Sequence, residues 1–425
     1  MLIWGGQEIL FTHEWVFFPM TFKLRIKAVI IKIIMFKIAS FYTKRNYTPS
    51  FPMDKMKRFI DCGVGTFACN LRCHYCYVAQ NFLFTQKVPQ FKYSAEHIGK
   101  ALSKERLGGA CMFNICATGE TLIPQAVIDY TKAILAQGHY VMIVTNGMLK
   151  KRFEEFAEFP EDYRKRLFFK ISYHYLELKR LNKFDLFFSN VELIKKMKAS
   201  FTIEVTPSDE LIPYIDEMKK VSLEHLGALP HITVARDESK ADYPLLTKLS
   251  REEYIKTWGQ FDSMMFDFKI KVFGQKRKEY CYAGNWTWTL NLITGTMKQC
   301  YKTNFFANIY KNLDKPLKFV NIGHGCKAPH CHNAHAFLCF GAIPELETPY
   351  YYELRNRVCA DGSEWLQPEM KAFMSCKLNE INEETHPKKD VYINWVYNGI
   401  YHVAMFARNV LKKIDKHYKS NEVHK

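Results

Sequence analysis

The sequence predicts an α/β fold of parallel β/α units, followed by a smaller hairpin-containing domain and C-terminal helices. Three observations predict it. Between residues 58 and 240, six short apolar runs alternate with helical segments, the pattern of parallel β/α units. An alternating stretch at 286–293 leads into a Thr294-Gly295 turn and a second short run, the signature of a β-hairpin. Beyond it, Ile393, Val396, Ile400, Val403, Ala407, Val410 and Ile414 recur at helical spacing, the stripe of a helix packed on the body.

The chain has 425 residues, of which 48% are hydrophobic and 24% charged, a composition that builds a globular core and excludes a disordered chain. Residues 1–57 form a basic extension. Ten lysines and arginines face three acids in the first sixty positions, part of a net charge of +17. The apolar stretch 22–40 is broken by Lys23, Arg25, Lys27, Lys32 and Lys37, so no run reaches the length needed to span a bilayer. The extension leaves room for peripheral contact with a membrane surface and carries no secretory cleavage pattern. Met20, Met53 and Met56 are each candidate starts, which makes part of it a candidate artefact of gene calling. The positive charge suits anionic partners, but no like-charge run or nucleic-acid module is present, and nucleic acid is not the expected partner.

The first strand, Phe59–Val64, leads into Cys69-Asn70-Leu71-Arg72-Cys73-His74-Tyr75-Cys76. Thiolates suit iron–sulfur clusters, which usually take four cysteines. Three in one loop leave one iron open. Cysteines two residues apart also occur in zinc sites, and His74 would serve there. The strand Cys111–Cys116 precedes Ala117-Thr118-Gly119-Glu120, and a helix is expected over Ile123–Ala136. Strands follow at Tyr140–Thr145, Leu167–Ser172, Phe201–Thr206 and His231–Ala235, with helices around 191–198 and 208–220. A single helix, Arg251–Met265, is expected to close this part.

The cysteine spacing, the aromatic before the last cysteine and the Thr118-Gly119-Glu120 run one strand later resemble the signature of the radical S-adenosylmethionine (radical SAM) enzymes. The resemblance covers about residues 58–240 and implies a partial (β/α)6 barrel over 58–265. It implies that Cys69, Cys73 and Cys76 hold a 4Fe–4S cluster whose open iron is chelated by S-adenosylmethionine (SAM). It further implies that Thr118, Gly119 and Glu120 meet the SAM amino group, Ser172 the ribose and Tyr75 the adenine. Thr118 stands where the family pattern has a glycine. A flavodoxin- or ferredoxin-like electron donor is implied as a partner.

Cys281, the hairpin and Cys300 resemble the opening of the SPASM and twitch extensions of this family. Thirteen residues lie between Cys281 and Gly295, and four between Gly295 and Cys300. Cys326, Cys331 and Cys339 follow, among His324, His330, His332 and His335. Five cysteines complete one four-thiolate cluster, not two, so the resemblance implies a twitch-like domain over 266–345 with one auxiliary 4Fe–4S cluster. Cys281 and Cys300 are its firm ligands, and two of Cys326, Cys331 and Cys339 complete it. A zinc site from the same residues is the alternative. Cys62, Cys111, Cys116, Cys359 and Cys376 read as buried thiols. Residues 346–425 are the helical C-terminal segment.

Thirteen cysteines grouped beside histidines, without a secretory signal, point to a reducing cytoplasmic compartment. The resemblance implies hydrogen abstraction from a peptide or protein substrate, with a sugar or another anionic small molecule as the alternative. A zinc-stabilised binding scaffold and an RNA-modifying enzyme are the readings from other classes.

Overall fold

The computed structural model describes residues 54–301, 303, 305–331, 333–396, 399 and 403. The basic extension up to residue 53, His332, and the C-terminal stripe at Ile400, Ala407, Val410 and Ile414 lie outside them.

Nine strands form one sheet: β1 (Arg58–Val64), β2 (Cys111–Ala117), β3 (Tyr140–Thr145), β4 (Leu167–Ser172), β5 (Ser200–Val205), β6 (His231–Ile232), β7 (Thr287–Asn291), β8 (Thr296–Lys298) and β9 (Phe305–Asn308). Their order is β6-β5-β4-β3-β2-β1-β7-β8-β9. The pairs from β1 to β6 are all parallel, so the mixed α/β architecture with a parallel-sheet core is as the sequence predicts. Helices Ala126–Ala136, Lys150–Ala157, Phe184–Lys196 and Ile215–Leu226 alternate with these strands. Such strands are long apolar runs because they are covered on both faces. Ile60, Phe113, Ile115, Val141, Ile143, Phe169 and Ile203 pack under the helices, against residues such as Val127, Ile134, Phe153 and Phe187.

The opposite face is filled from the C-terminal third of the chain. Phe59, Met112, Tyr140, Met142 and Phe168 meet Phe337, Phe340, Tyr351, Phe373 and Met374. The Tyr140 and Phe373 rings stack with centroids 3.7 Å apart. Residues 335–378 therefore plug the inner face of the sheet at the amino-terminal half of its strands.

Three elements depart from the sequence expectation. The segment expected as the helix Arg251–Met265 is two helices, Arg251–Gly259 and Met264–Val272. Asp262 between them has φ 49°, and Ser263 caps the second helix by accepting from the Phe266 amide. The sixth strand keeps only His231–Ile232, because at the edge it has one neighbour to pair with. The hairpin β7–β8 turns at Gly295, as read, but β7 also pairs in parallel with β1. The cysteines that flank the hairpin are thus carried on an extension of the barrel sheet. Gly295 has φ 74°, and a Cβ there would lie 2.4 Å from the Tyr310 ring, so the turn admits glycine alone.

Candidate functional site

The carboxyl ends of β1 to β4 deliver one cleft. Cys69, Cys73 and Cys76 line it together with Thr118, Gly119, Glu120, Val144, Asn146, Ser172 and His174. Backbone bonds bring the first two groups together. The amides of Gly119 and Glu120 donate to the carbonyls of Thr66 (2.7 Å) and Ala68 (2.8 Å). The approach is so close that a Cβ on Gly119 would lie 2.1 Å from the Ala68 oxygen, which is the physical reason for glycine there. The Tyr77 hydroxyl adds a bond to the Thr118 carbonyl at 2.9 Å.

Glu120 is buried and already engaged. Its Oε1 accepts from the Leu122 amide (3.0 Å) and the Thr145 hydroxyl (2.7 Å), and its Oε2 from the Asn146 amide (2.8 Å). Burial raises its pKa, and these three donors oppose that. The carboxylate thus ties β2 to the end of β3 and keeps one acceptor position of Oε2 toward the cleft. Asn146, legible in the sequence only as half of an Asn-Gly turn, has a second role. Its Nδ2 donates to Asn70 Oδ1 at 2.7 Å and approaches Cys69 Sγ at 3.9 Å. The Leu71 amide donates to the same sulfur at 3.5 Å. These N–H groups fix the orientation of the Cys69 thiol and would stabilise its thiolate.

Tyr75 and His174 join across the cleft wall, with Oη and Nδ1 2.6 Å apart. Burial lowers the His174 pKa to about 4 and raises that of Tyr75, so the phenol donates to a neutral imidazole. Glu177 accepts from the Arg72 amide at 2.9 Å and from both sides of Arg180; it braces the loop from below. His74, the residue a zinc reading of this loop needs, turns outward to Glu210 at 2.8 Å. Ser172 lines the cleft from the end of β4.

A second group lies beyond β7. Cys281, Cys300, Cys326 and Cys331 line one groove of about 640 Å³ with Tyr301, His324, His330 and Trp395. Cys281 is bridged to Gly323 by reciprocal backbone bonds of 3.1 and 3.0 Å. The Cys300 amide donates to Thr303 Oγ1 at 2.8 Å. Gly284, with φ 101°, lets the chain pass the Val320 carbonyl, which a Cβ would meet at 2.0 Å.

Cys339 is not in this group. It is fully buried in the plug under the sheet, and the charges it feels are Lys377 and Glu353. Those felt by Cys300 are, by contrast, Cys281, Cys331 and Cys326. Cys339 sits in helix His335–Cys339, all of whose residues are buried, so of the three cysteines after Cys300 it is Cys326 and Cys331 that share the groove with Cys281 and Cys300.

The donor chemistry fits two clusters. Three thiols share the first cleft and four the second. Burial pushes the thiols of Cys281 and Cys331 up to about 12 and raises those of Cys69, Cys73, Cys76 and Cys300. Thiols so placed ionise when a cation binds. Among the described residues, no three His, Cys, Asp or Glu side chains converge on the position of one metal ion. A 4Fe–4S cube takes each thiolate on a different iron, so its ligands surround a volume. The thirteen cysteines form no disulfide.

The fold is similar to several solved structures. Streptococcus suis SuiB bound to S-adenosylmethionine is 15% identical with a TM-score of 0.42, over 60% of this chain and 65% of that one. The anSMEcpe structure with bound AdoMet is 17% identical with a TM-score of 0.42, over 60% and 78%. The anSMEcpe structure with AdoMet and the Cp18Cys peptide is 15% identical with a TM-score of 0.40, over 83% and 99%. The chain spans about 65% of the length of the SuiB structures it matches. At this level the likeness carries no inference about chemistry. No protein-family profile matches the chain, and no curated protein matches it in sequence.

Between the cleft and the groove lies the inner face of the upper strands. Of its residues only Ser172, as a site residue, and Cys116, as a buried thiol, stood out in the sequence. Its inward residues include Asp61, Asn114, Cys116, Lys170 and Glu204, and Asn114, Cys116 and Lys170 are only partly buried. The Tyr301 hydroxyl, beside Cys300, hydrogen-bonds the Asp61 carboxylate, which links the groove to this inner face. The signal was available: polar residues interrupt otherwise apolar strands at inward positions.

Proposed function

We propose that the chain is a radical SAM enzyme with one auxiliary 4Fe–4S cluster. The observation that carries this is the gathering of Cys69, Cys73 and Cys76 into one cleft with Gly119, Glu120, Asn146, Ser172 and His174. When bound, the three-thiolate cluster and SAM supply an electron and a 5′-deoxyadenosyl radical that takes a hydrogen atom from substrate. The chain's own residues do the placing. Asn146 and the Leu71 amide orient Cys69. The 117–120 loop and Glu120 would hold the SAM ammonium, Ser172 its ribose, and His174, fixed by Tyr75, would wall the adenine side. Cys281, Cys300, Cys326 and Cys331 hold the auxiliary cluster.

In this reading residues 58–265 are the catalytic barrel, 266–345 the auxiliary domain and 346–425 the helical cover. The enzyme works in the reducing cytoplasm with a flavodoxin- or ferredoxin-like donor, and its substrate is a peptide or an anionic small molecule. No helix of the described residues is long and apolar enough to cross a membrane.

The test is a pair of variants assayed anaerobically for 5′-deoxyadenosine after SAM and dithionite are added. Cys73→Ala abolishes it. Cys300→Ala retains it but loses turnover of the true substrate. A Cys73→Ala protein that still makes 5′-deoxyadenosine sinks the assignment.

A further inference from the structure

The inner face of the sheet changes character part-way up. Its lower half is apolar, formed by Phe59, Met112, Met142 and Phe168. Above them, partial exposure falls on inward positions alone: Gly63, Asn114, Cys116, Val144, Lys170 and Ser172. Positions within a strand are exposed there only if the space they face is open, so the upper layer of the inner face is polar and partly open.

This layer gathers more basic than acidic side chains: Lys170, Arg236, Lys269 and Arg355 against Asp61, Glu204 and Glu238. Lys269, from helix Met264–Val272, reaches it with 6% of its surface exposed. Its ammonium donates to Thr233 Oγ1 at 2.6 Å and lies in the field of Lys170 and Arg236. No carboxylate of the described residues pairs with it, whereas the neighbouring cations are each paired: Lys170 and Arg355 share Glu204, and Arg236 holds Glu238. Asp61 is turned to Asn114 and Tyr301. Arg355 Nη2 lies 2.7 Å from His335 Nε2; since guanidinium only donates, His335 is neutral and adds no negative charge. Arg355 Nε and His335 Nδ1 have no acceptor. Burial first, then Arg236 and Lys170, lower the Lys269 pKa well below that of a free lysine, because a single hydroxyl does not offset the desolvation of an ammonium with three donors; an anion docked beside it would restore the charge.

We propose that this layer is an anion subsite: a carboxylate or phosphate of the substrate docks on Lys269 and Lys170, with the rest of the molecule directed toward the cleft at Ser172. The inference rests on the radical SAM reading only for the role of that cleft; the subsite itself stands on the buried cations. It narrows the substrate to one carrying an anionic oxygen group at the end remote from the bond attacked. Burial also lowers the Lys170 pKa to about 7, and an anion beside it restores its charge.

The experiment uses the full-length, anaerobically reconstituted protein. N-acetylglutamate, glycerol phosphate and the neutral N-acetylglutamine are titrated calorimetrically into wild type, Lys269→Met, Lys269→Arg and the surface control Lys151→Met. The expected result is binding of one anionic probe but not of the neutral amide. The probe that binds says whether the group is a carboxylate or a phosphate. Lys269→Met weakens that binding by about tenfold or more, the loss for a charged hydrogen bond; Lys269→Arg restores most of it, and Lys151→Met changes nothing. Melting temperature is read alongside: Lys269→Met melts no lower than wild type, because methionine removes a buried polar group held by one hydroxyl alone. Equal binding of the amide, absence of binding by both anions, or unchanged binding in Lys269→Met overturns the proposal. Failure of wild type to cleave SAM overturns the radical reading instead and leaves the anion result standing.

Discussion

Gly119 and Asn146 show how much of the cleft is decided by single residues. A methyl on Gly119 would lie 2.1 Å from the Ala68 oxygen, so the two loops must part. Gly119→Ala is expected to cost about 1–3 kcal/mol, the range for forced overpacking, and to depress 5′-deoxyadenosine formation well beyond what that loss of folded protein explains. Urea unfolding and the cleavage assay, run on one preparation, check it. Asn146→Ala removes the donor to Asn70 and Cys69; Asn70 is exposed, so water replaces the lost donor and the cost is that of one hydrogen bond, about 0.5–1.5 kcal/mol. Loop cysteines still bind iron in that variant, but the cluster's electron-paramagnetic signal shifts because one ligand has lost its N–H contact. An unshifted spectrum would deny Asn146 its orienting role. Of this site the sequence made Cys69, Cys73 and Cys76 legible, since ligand spacing is local. Asn146 and the contact of His174 with Tyr75 were not, because nothing local shows that a turn asparagine or a strand-end histidine reaches a loop some seventy or a hundred positions earlier.

At the scale of elements, the hairpin is the instructive case. Alternation and a Thr-Gly turn made β7 and β8 legible, and both formed. The parallel pairing of β7 with β1 was hidden, because period-two patterning says which face is buried and not which strand lies alongside. The same gap explains Cys339. On sequence it was one of three equivalent cysteines after Cys300; in the fold it belongs to a helix whose apolar face plugs the barrel, while Cys326 and Cys331 lie on the loop across the groove. The expected outcome is a clean split. Cys326→Ala loses about four irons per chain, one cluster's complement. Cys339→Ala keeps its iron and loses about 1 kcal/mol of stability, as a small core truncation does. Iron analysis with urea unfolding of the two variants decides it, and loss of iron from Cys339→Ala would return that residue to the ligand set.

Across the whole molecule, buried histidines set a pH dependence. His139 accepts from the Cys111 amide and meets the Leu102 carbonyl, tying β2 to the segment before it. Burial lowers the pKa of His139 and of His174 to about 4, and lowers those of His231 and His335. Because these values lie below that of a free imidazole, near 6.5, the unfolded chain binds more protons than the folded one between about pH 4 and 6.5. Stability is therefore lost as pH falls through that window, by up to about 1.4 kcal/mol per pH unit for each such histidine. Urea midpoints at pH 7.0 and 5.5 are expected to differ accordingly, with the lower midpoint at pH 5.5; equal midpoints would mean that these imidazoles are not buried neutral.

The Tyr301–Asp61 hydrogen bond joins the groove of the second cysteine group to the polar inner face of the sheet. The most direct measurement is the metal content of the anaerobically reconstituted chain, paired with its cleavage of SAM under dithionite. About eight irons per chain are expected, two four-iron clusters, with 5′-deoxyadenosine formed. Zinc in place of iron, with no 5′-deoxyadenosine, would contradict it and make the chain a metal-stabilised scaffold.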